Sequence, residues 1–160
     1  MPTIGITGHI RLSARTAPLV FEALHSGLCR YASDGVHGVT CLALGADQIF
    51  AKAVLAVGGT FEVILPARDY RNLMITPEQR AEFDDLLCRA SRVQTMPFYR
   101  SSPQAYWAAS RAMLNRCERL FAVWDGVPSR DVGDSAQVVD AAHRRRLPVE
   151  VFWPQGSDRG

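Results

Sequence analysis

No apolar stretch in this sequence approaches the roughly 18 residues that would suggest a membrane-spanning helix. The N-terminus passes from Met1-Pro2 directly into a strand pattern, without the charged leader and apolar core of a secretory signal. No membrane partner is therefore expected, and the cytoplasm is the expected compartment. Cysteine is sparse: Cys29, Cys41, Cys88 and Cys117 stand far apart, with no Cys-x-x-Cys pair. Metal-ligand spacing is absent, so no metal is expected, and reduced thiols are the expected state in a chain of this size. Charge of one sign is lacking as well. Eighteen Lys and Arg against 16 Asp and Glu leave a formal charge of +2, mixed along the chain. That balance supplies no long-range field for gripping nucleic acid.

The familiar nucleotide motifs are also missing. The first turn reads Gly5-x-x-Gly8, which is not the Gly-x-Gly-x-x-Gly dinucleotide fingerprint. There is no Gly-x-x-x-x-Gly-Lys-Ser/Thr phosphate loop, and no Gly-x-Ser-x-Gly elbow for a hydrolase triad. An ordinary NAD dehydrogenase or ATPase is disfavoured.

What is present is a soluble globular composition, 48% hydrophobic and 21% charged over 160 residues, enough for one domain with its own core. Apolar runs of strand length alternate with segments of helical periodicity. Strands are expected near Thr3–Thr7, Val39–Leu44, Thr60–Leu65, Val93–Met96, Leu120–Trp124 and Leu147–Trp153. The intervening helices open at Ser13 or Thr16, Ala46, Thr76-Pro77, Ser102-Pro103 and Ser135. Residues 67–76 read as a polar loop. Such alternation predicts an α/β fold: a doubly wound, mostly parallel Rossmann-like sheet with helices on both faces, in the order 3-2-1-4-5-6. Residues 1–154 form one domain, and 155–160 are expected to be a flexible tail.

Three strands break at glycine-marked turns: Gly8-His9-Ile10-Arg11, Gly45-Ala46-Asp47 and Asp125-Gly126, with Gly133-Asp134-Ser135 opening a further helix. In a parallel sheet these turns share the edge outside the carboxyl ends of the strands, where open α/β folds bind ligands. Backbone N–H groups at glycine turns and helix starts favour anions. The expected ligand is thus a phosphorylated small molecule. His9 and Arg11 are candidates for phosphate or a ribose hydroxyl, against the plainer reading of a solvated turn. Leu44, Gly45 and Ala46 should lie close to the ligand, while Asp47 either caps its helix or holds a ribose hydroxyl. Pro66 ends the third strand, and beyond it Arg68 and Tyr70 could close over a nucleotide, Tyr70 stacking on its base. Arg111 either points toward the phosphate or is a solvated helix position. Trp124, Asp125 and Gly126 leave the fifth strand into the crevice. Gly133, Asp134 and Ser135 offer open N–H groups, with the Ser135 hydroxyl either capping the helix or binding phosphate. His143 to Arg146 end the last helix, where their charge complements its dipole.

Taken together, GITGHIRL (Gly5–Leu12), LALGADQIFAKA (Leu42–Ala53), EVILP (Glu62–Pro66), RAMLNRCERLFAVWDG (Arg111–Gly126) and GDSAQVVDAA (Gly133–Ala142) resemble the SLOG superfamily. That Rossmann-like group contains the Lonely-guy phosphoribohydrolases and the DNA-processing protein A domain. The resemblance implies a nucleotide or nucleotide-sugar-like ligand, held by a sensor or carrier, commonly in a homodimer or higher homo-oligomer. No further cofactor is required. Phosphoribohydrolases of the group carry Pro-Gly-Gly-x-Gly-Thr-x-x-Glu. Here the position of that catalytic Glu falls near Val138, and a valine cannot serve as acid or base. Asp134 or Asp140, the latter in the helix body, could substitute for it; Asp134 or Asp125 is the carboxylate expected to stabilise an oxocarbenium-like state, and Arg111 alone represents the upstream Arg-Lys pair. Cleavage of a nucleoside monophosphate is the alternative function, and single-stranded DNA binding a second.

Overall fold

β1 (Thr3–Gly8) sends alternate side chains into two apolar layers, and that two-sided burial makes it a central strand. Ile4 and Ile6 join Phe121 and Val123 of β5 (Arg119–Val123) in the first layer. Leu120 and Ala122 enter the second. Gly5 faces the second layer too, where a Cβ would sit 3.0 Å from Cys117 Sγ and 3.2 Å from Met113 Sδ. The computed structural model describes residues 1–128 and 134–160. Gly133, one of the expected ligand residues, lies outside them.

The sheet is completed by β2 (His37–Thr40), β3 (Thr60–Leu65), β4 (Arg92–Thr95) and β6 (Val149–Phe152). All its ladders are parallel, in the order β4-β3-β2-β1-β5-β6. α1 (Thr16–Cys29), α2 (Ala46–Ala56) and α4 (Arg80–Arg89) feed the first layer through Val20, Leu24, Phe50, Val54, Phe83 and Leu86. α5 (Pro103–Arg116) and α6 (Ser135–Arg144) feed the second through Ala109, Met113, Val138 and Ala142. This is the doubly wound Rossmann-like α/β fold expected from the alternation. Among the described residues no helix is long and apolar enough to cross a membrane.

Within that pattern the fourth strand is placed differently from the expected 3-2-1-4-5-6. β4 adds outside β3 at the sheet edge, and β5 takes the position beside β1. The reason is composition. Arg92, Val93 and Thr95 of β4 are exposed, whereas Leu120 to Val123 of β5 are buried. A central strand must be apolar on both faces, and only β5 meets that requirement. The chain therefore winds outward from β1 to β4, then crosses over to β5, which puts the switch point between β1 and β5.

Helix starts follow their sequence signals. Ser13 Oγ accepts a hydrogen bond from the Thr16 N–H at 3.1 Å, and Ser102 Oγ accepts one from the Ala105 N–H at 3.1 Å. Thr76 and Gln79 form a reciprocal capping box. Three details depart from expectation. β2 stops at Thr40 rather than Leu44, because Thr40 Oγ1 accepts from the Leu42 N–H and Leu42 turns to φ 57°. Residues 67–76 hold a short helix, α3 (Tyr70–Met74), because Tyr70 is buried against Phe83. The third concerns the C-terminal segment, which is docked rather than frayed. Asp158 N–H donates to Thr16 Oγ1 at 2.8 Å, and Arg159 bridges antiparallel to Leu12.

Candidate ligand cleft

Beyond the carboxyl ends of β1 and β5, three loops touch through glycine. A Cβ on Gly8 would lie 2.4 Å from Ala46 Cβ and 2.9 Å from both Val123 Cβ and the Val123 carbonyl. No shift of a flexible side chain relieves that crowding. Gly45 sits at φ 76°, and a Cβ there would lie 2.5 Å from the His9 carbonyl. The same carbonyl accepts from the Ala46 N–H at 3.1 Å, and the His9 N–H donates to the Val123 carbonyl at 3.2 Å. Gly45 and Ala46, expected beside the ligand, thus join the second loop to the first and do not line the cleft.

The three joined loops frame one side of a cleft of about 710 Å³. Gly8, His9, Arg11 and Trp124 line it from the β1 and β5 ends, and Asp47, Pro66 and Tyr70 from the β2 and β3 ends. Asp134 and Ser135 line it from the start of α6. α5 contributes Tyr106, Ser110 and Met113, a spacing of four and three residues that presents one helix face. That set was not singled out in the sequence, although the period was readable once α5 was placed. Arg159 and Gly160 close the list of lining groups no local signal announced.

Asp47 is buried, 6% exposed, and its Oδ2 accepts from the Ala43 N–H at 3.2 Å. It does not cap α2, whose N-cap is Gly45. Burial pushes its carboxyl up to about 7, with the Ala43 hydrogen bond opposing. Beside it, burial also raises the thiol of Cys41 and the phenol of Tyr70, so both are neutral.

His9 lies edge-on to Trp153, ring centroids 5.4 Å apart. Its pKa is lowered, first by burial and next by the nearby Arg159 cation, against the opposing pull of Asp125. A neutral ring fits its Nε2 accepting from the Asp125 N–H at 3.3 Å.

The α6 start resolves the two readings of Ser135. Asp134 is the N-cap, its Oδ1 accepting from the Gln137 N–H at 2.9 Å. The buried Ser135 hydroxyl instead accepts from Thr7 Oγ1 at 3.4 Å, at the cleft floor.

Other expectations need correction. Arg68 lies over the Tyr99 ring at 5.1 Å and does not line the cleft. Tyr70 is 5% exposed between Phe83 and Tyr106, so it forms floor and cannot swing over as a stacking lid. Leu44 packs against the first core layer. Gly126 is an exposed turn residue at φ 84°, with no atom of the described residues beyond its chain neighbours within 4 Å of where its Cβ would stand. Arg111 is exposed on α5, next in sequence to the lining Ser110 but turned off that face. Asp125 does not line the cleft. Its carboxylate accepts from Arg159 Nε and Nη2 at 2.7 and 2.8 Å and from the Val127 N–H at 2.9 Å. Those bonds, the Arg159 pair foremost, hold its pKa down at about 2.

The same architecture recurs in solved structures. DNA processing protein A from Streptococcus pneumoniae is similar at TM-score 0.70 and 14% identity, over 98% of this chain and 52% of that one. DNA processing protein A from Helicobacter pylori, described for its single-stranded DNA binding mode, is similar at TM-score 0.69 and 15% identity, over 99% and 68%. The molybdenum cofactor binding protein from Rippkaea orientalis is similar at TM-score 0.61 and 14% identity, over 94% and 75%. At these identities the likeness is one of fold, the doubly wound Rossmann-like α/β architecture. No family model matches the chain, and no curated protein matches it. The chain spans about half the length of the S. pneumoniae protein, 52%. Val138, at the position the resemblance gives to a catalytic Glu, is buried in the second core layer with 1% exposure.

Proposed function

We propose that this chain binds a nucleotide or nucleotide-sugar-like phosphorylated small molecule in the cleft, as a sensor or carrier, in a cytoplasmic homodimer or higher homo-oligomer. The observation that carries the reading is the cleft itself: about 710 Å³ at the switch point of a doubly wound sheet. That volume suits one small ligand of nucleotide size. Ile6, Met113 and Trp124 offer apolar wall for a base, Thr7, Ser110 and Ser135 offer hydroxyls, and Arg11 and Arg159 stand at the lip.

Binding without cleavage is favoured over phosphoribohydrolase activity for a chemical reason. Asp125 is committed to Arg159, Asp134 to the α6 cap, and Arg111 is turned away from the cleft. No acidic group stands in the place of the family's glutamate.

Thermal unfolding with AMP, ADP and UDP-glucose tests this. At about 100-fold excess over Kd a bound ligand adds about 2.7 kcal/mol, which raises Tm by roughly 5–10 °C. Incubation with AMP should release no adenine on chromatography. Release of free base would replace the binder with the enzyme. No stabilisation by any nucleotide, with salt-dependent affinity for single-stranded DNA, would move the assignment to nucleic acid.

A further inference from the structure

We propose that Arg159 is the residue that grips the ligand's phosphate, carried to the lip of the cleft by the C-terminal segment and aimed by Asp125. This rests on the nucleotide reading and names the anion contact within it.

The backbone on either side of Arg159 is fixed to the loop that follows β1. Asp158 accepts from Thr16 Oγ1 at 3.1 Å and from Arg15 at 2.9 Å, and the Ser13 N–H donates to the Asp158 carbonyl. Arg159 bridges to Leu12, and the Gly160 N–H donates to the Arg11 carbonyl at 3.3 Å. An arginine delivered this way has lost much of the chain freedom that a tail residue would otherwise surrender on binding. From there its side chain crosses to the β5 loop. Nε and Nη2 hold the two oxygens of Asp125, and Nη2 also donates to the Val127 carbonyl at 3.2 Å.

That pairing uses one edge of a guanidinium that has more donors to give. Among the described residues none accepts from Nη1. Arg159 lines the cleft and Asp125 does not, so the carboxylate supports the arginine from behind and leaves its remaining edge for the ligand. Asp125 is a positioning residue. With its pKa at about 2, it stays ionised throughout the range in which the ligand's phosphate gains its second charge, so the support is constant there. A planar fork with fixed orientation matches phosphate oxygens better than a flexible ammonium does. Arg11, on the loop after β1, is exposed, and among the described residues no carboxylate supports it in this way.

Calorimetry with AMP and with adenosine, in wild type and Arg159→Ala, separates the phosphate contribution from that of base and ribose. Wild type should prefer AMP to adenosine. Arg159→Ala should weaken AMP about 10- to 100-fold while leaving adenosine unchanged, and Arg159→Lys should fall between. Undocking of the tail alone would weaken both ligands together, and that result overturns the assignment. A wild-type chain that binds AMP no better than adenosine overturns it too. Should Arg159→Ala hold its AMP preference within two-fold, the inference fails and the nucleotide reading stands. If wild type binds neither compound, both fail. Where Arg159→Ala does not fold, Asp125→Asn carries the test. It should reduce the AMP preference without touching adenosine, and an unchanged preference counts against the proposal.

Discussion

Gly8→Ala is expected to cost about 3 kcal/mol of stability, a fall in Tm of roughly 6–12 °C for a chain of this length. The methyl would meet Ala46 Cβ at 2.4 Å and the Val123 backbone carbonyl at 2.9 Å. Neither neighbour is the far end of a flexible side chain, so the loops themselves must separate. Gly45→Ala breaks the same junction from the other side, adding the strain of a side chain at φ 76° to a 2.5 Å approach to the His9 carbonyl. Since each change forces apart the same two loops, the double variant should lose less than the sum of the singles. Urea unfolding of the four proteins measures this. A Gly8→Ala chain within 0.5 kcal/mol of wild type would mean that the loops are not in contact as described.

The second large effect depends on pH. The Asp47 carboxyl titrates at about 7 in the folded chain, against 3.8 as the ordinary value. Between those values the folded chain holds a proton that the unfolded chain has released. The stabilisation is therefore complete below about pH 4 and lost as pH rises through 7. Above that, a buried carboxylate costs on the order of 4 kcal/mol. Asparagine keeps an oxygen to accept from the Ala43 N–H and never ionises. Asp47→Asn should match wild type at and below about pH 4, pull ahead as pH rises toward 7, and exceed its Tm by roughly 8–16 °C at pH 8. Cys41 and Tyr70 face the same carboxyl and stay neutral throughout, so the crossover belongs to Asp47. A Tm difference that does not change with pH would refute this account of the cleft floor.

How far the sequence could be read differs between local and long-range features. The alternation of apolar strands with amphipathic helices yielded the fold class, because burial on both sheet faces shows directly in composition. Gly8 and Gly45 stood out as breaks in apolar runs, and the structure gives their reason as close approach of loops. The position of β4 was legible in principle, since Arg92, Gln94 and Thr95 are polar for an interior strand. Other features were not local at all. Asp158 meets Thr16 across 142 positions, and Arg159 meets Asp125 across 34. A short polar tail after Trp153 looks the same in sequence whether it frays or docks. Asp134 and Ser135 both suit an N-cap, and one residue of helix register decided which would cap and which would turn to Thr7. Arg111 failed for a similar reason: about 100° of helical rotation separates it from Ser110, and sequence alone did not fix which faced inward.

Amide chemical-shift mapping of the isotope-labelled chain titrated with AMP tests the central claim most directly. The account predicts saturable shifts concentrated in residues 6–11, 41–43, 106–113, 134–135 and 159–160, with Asp47, Tyr70, Trp124 and Val127. Shifts centred on the opposite edge of the sheet or on the outer face of β4, or none at concentrations that stabilise the fold, would contradict it.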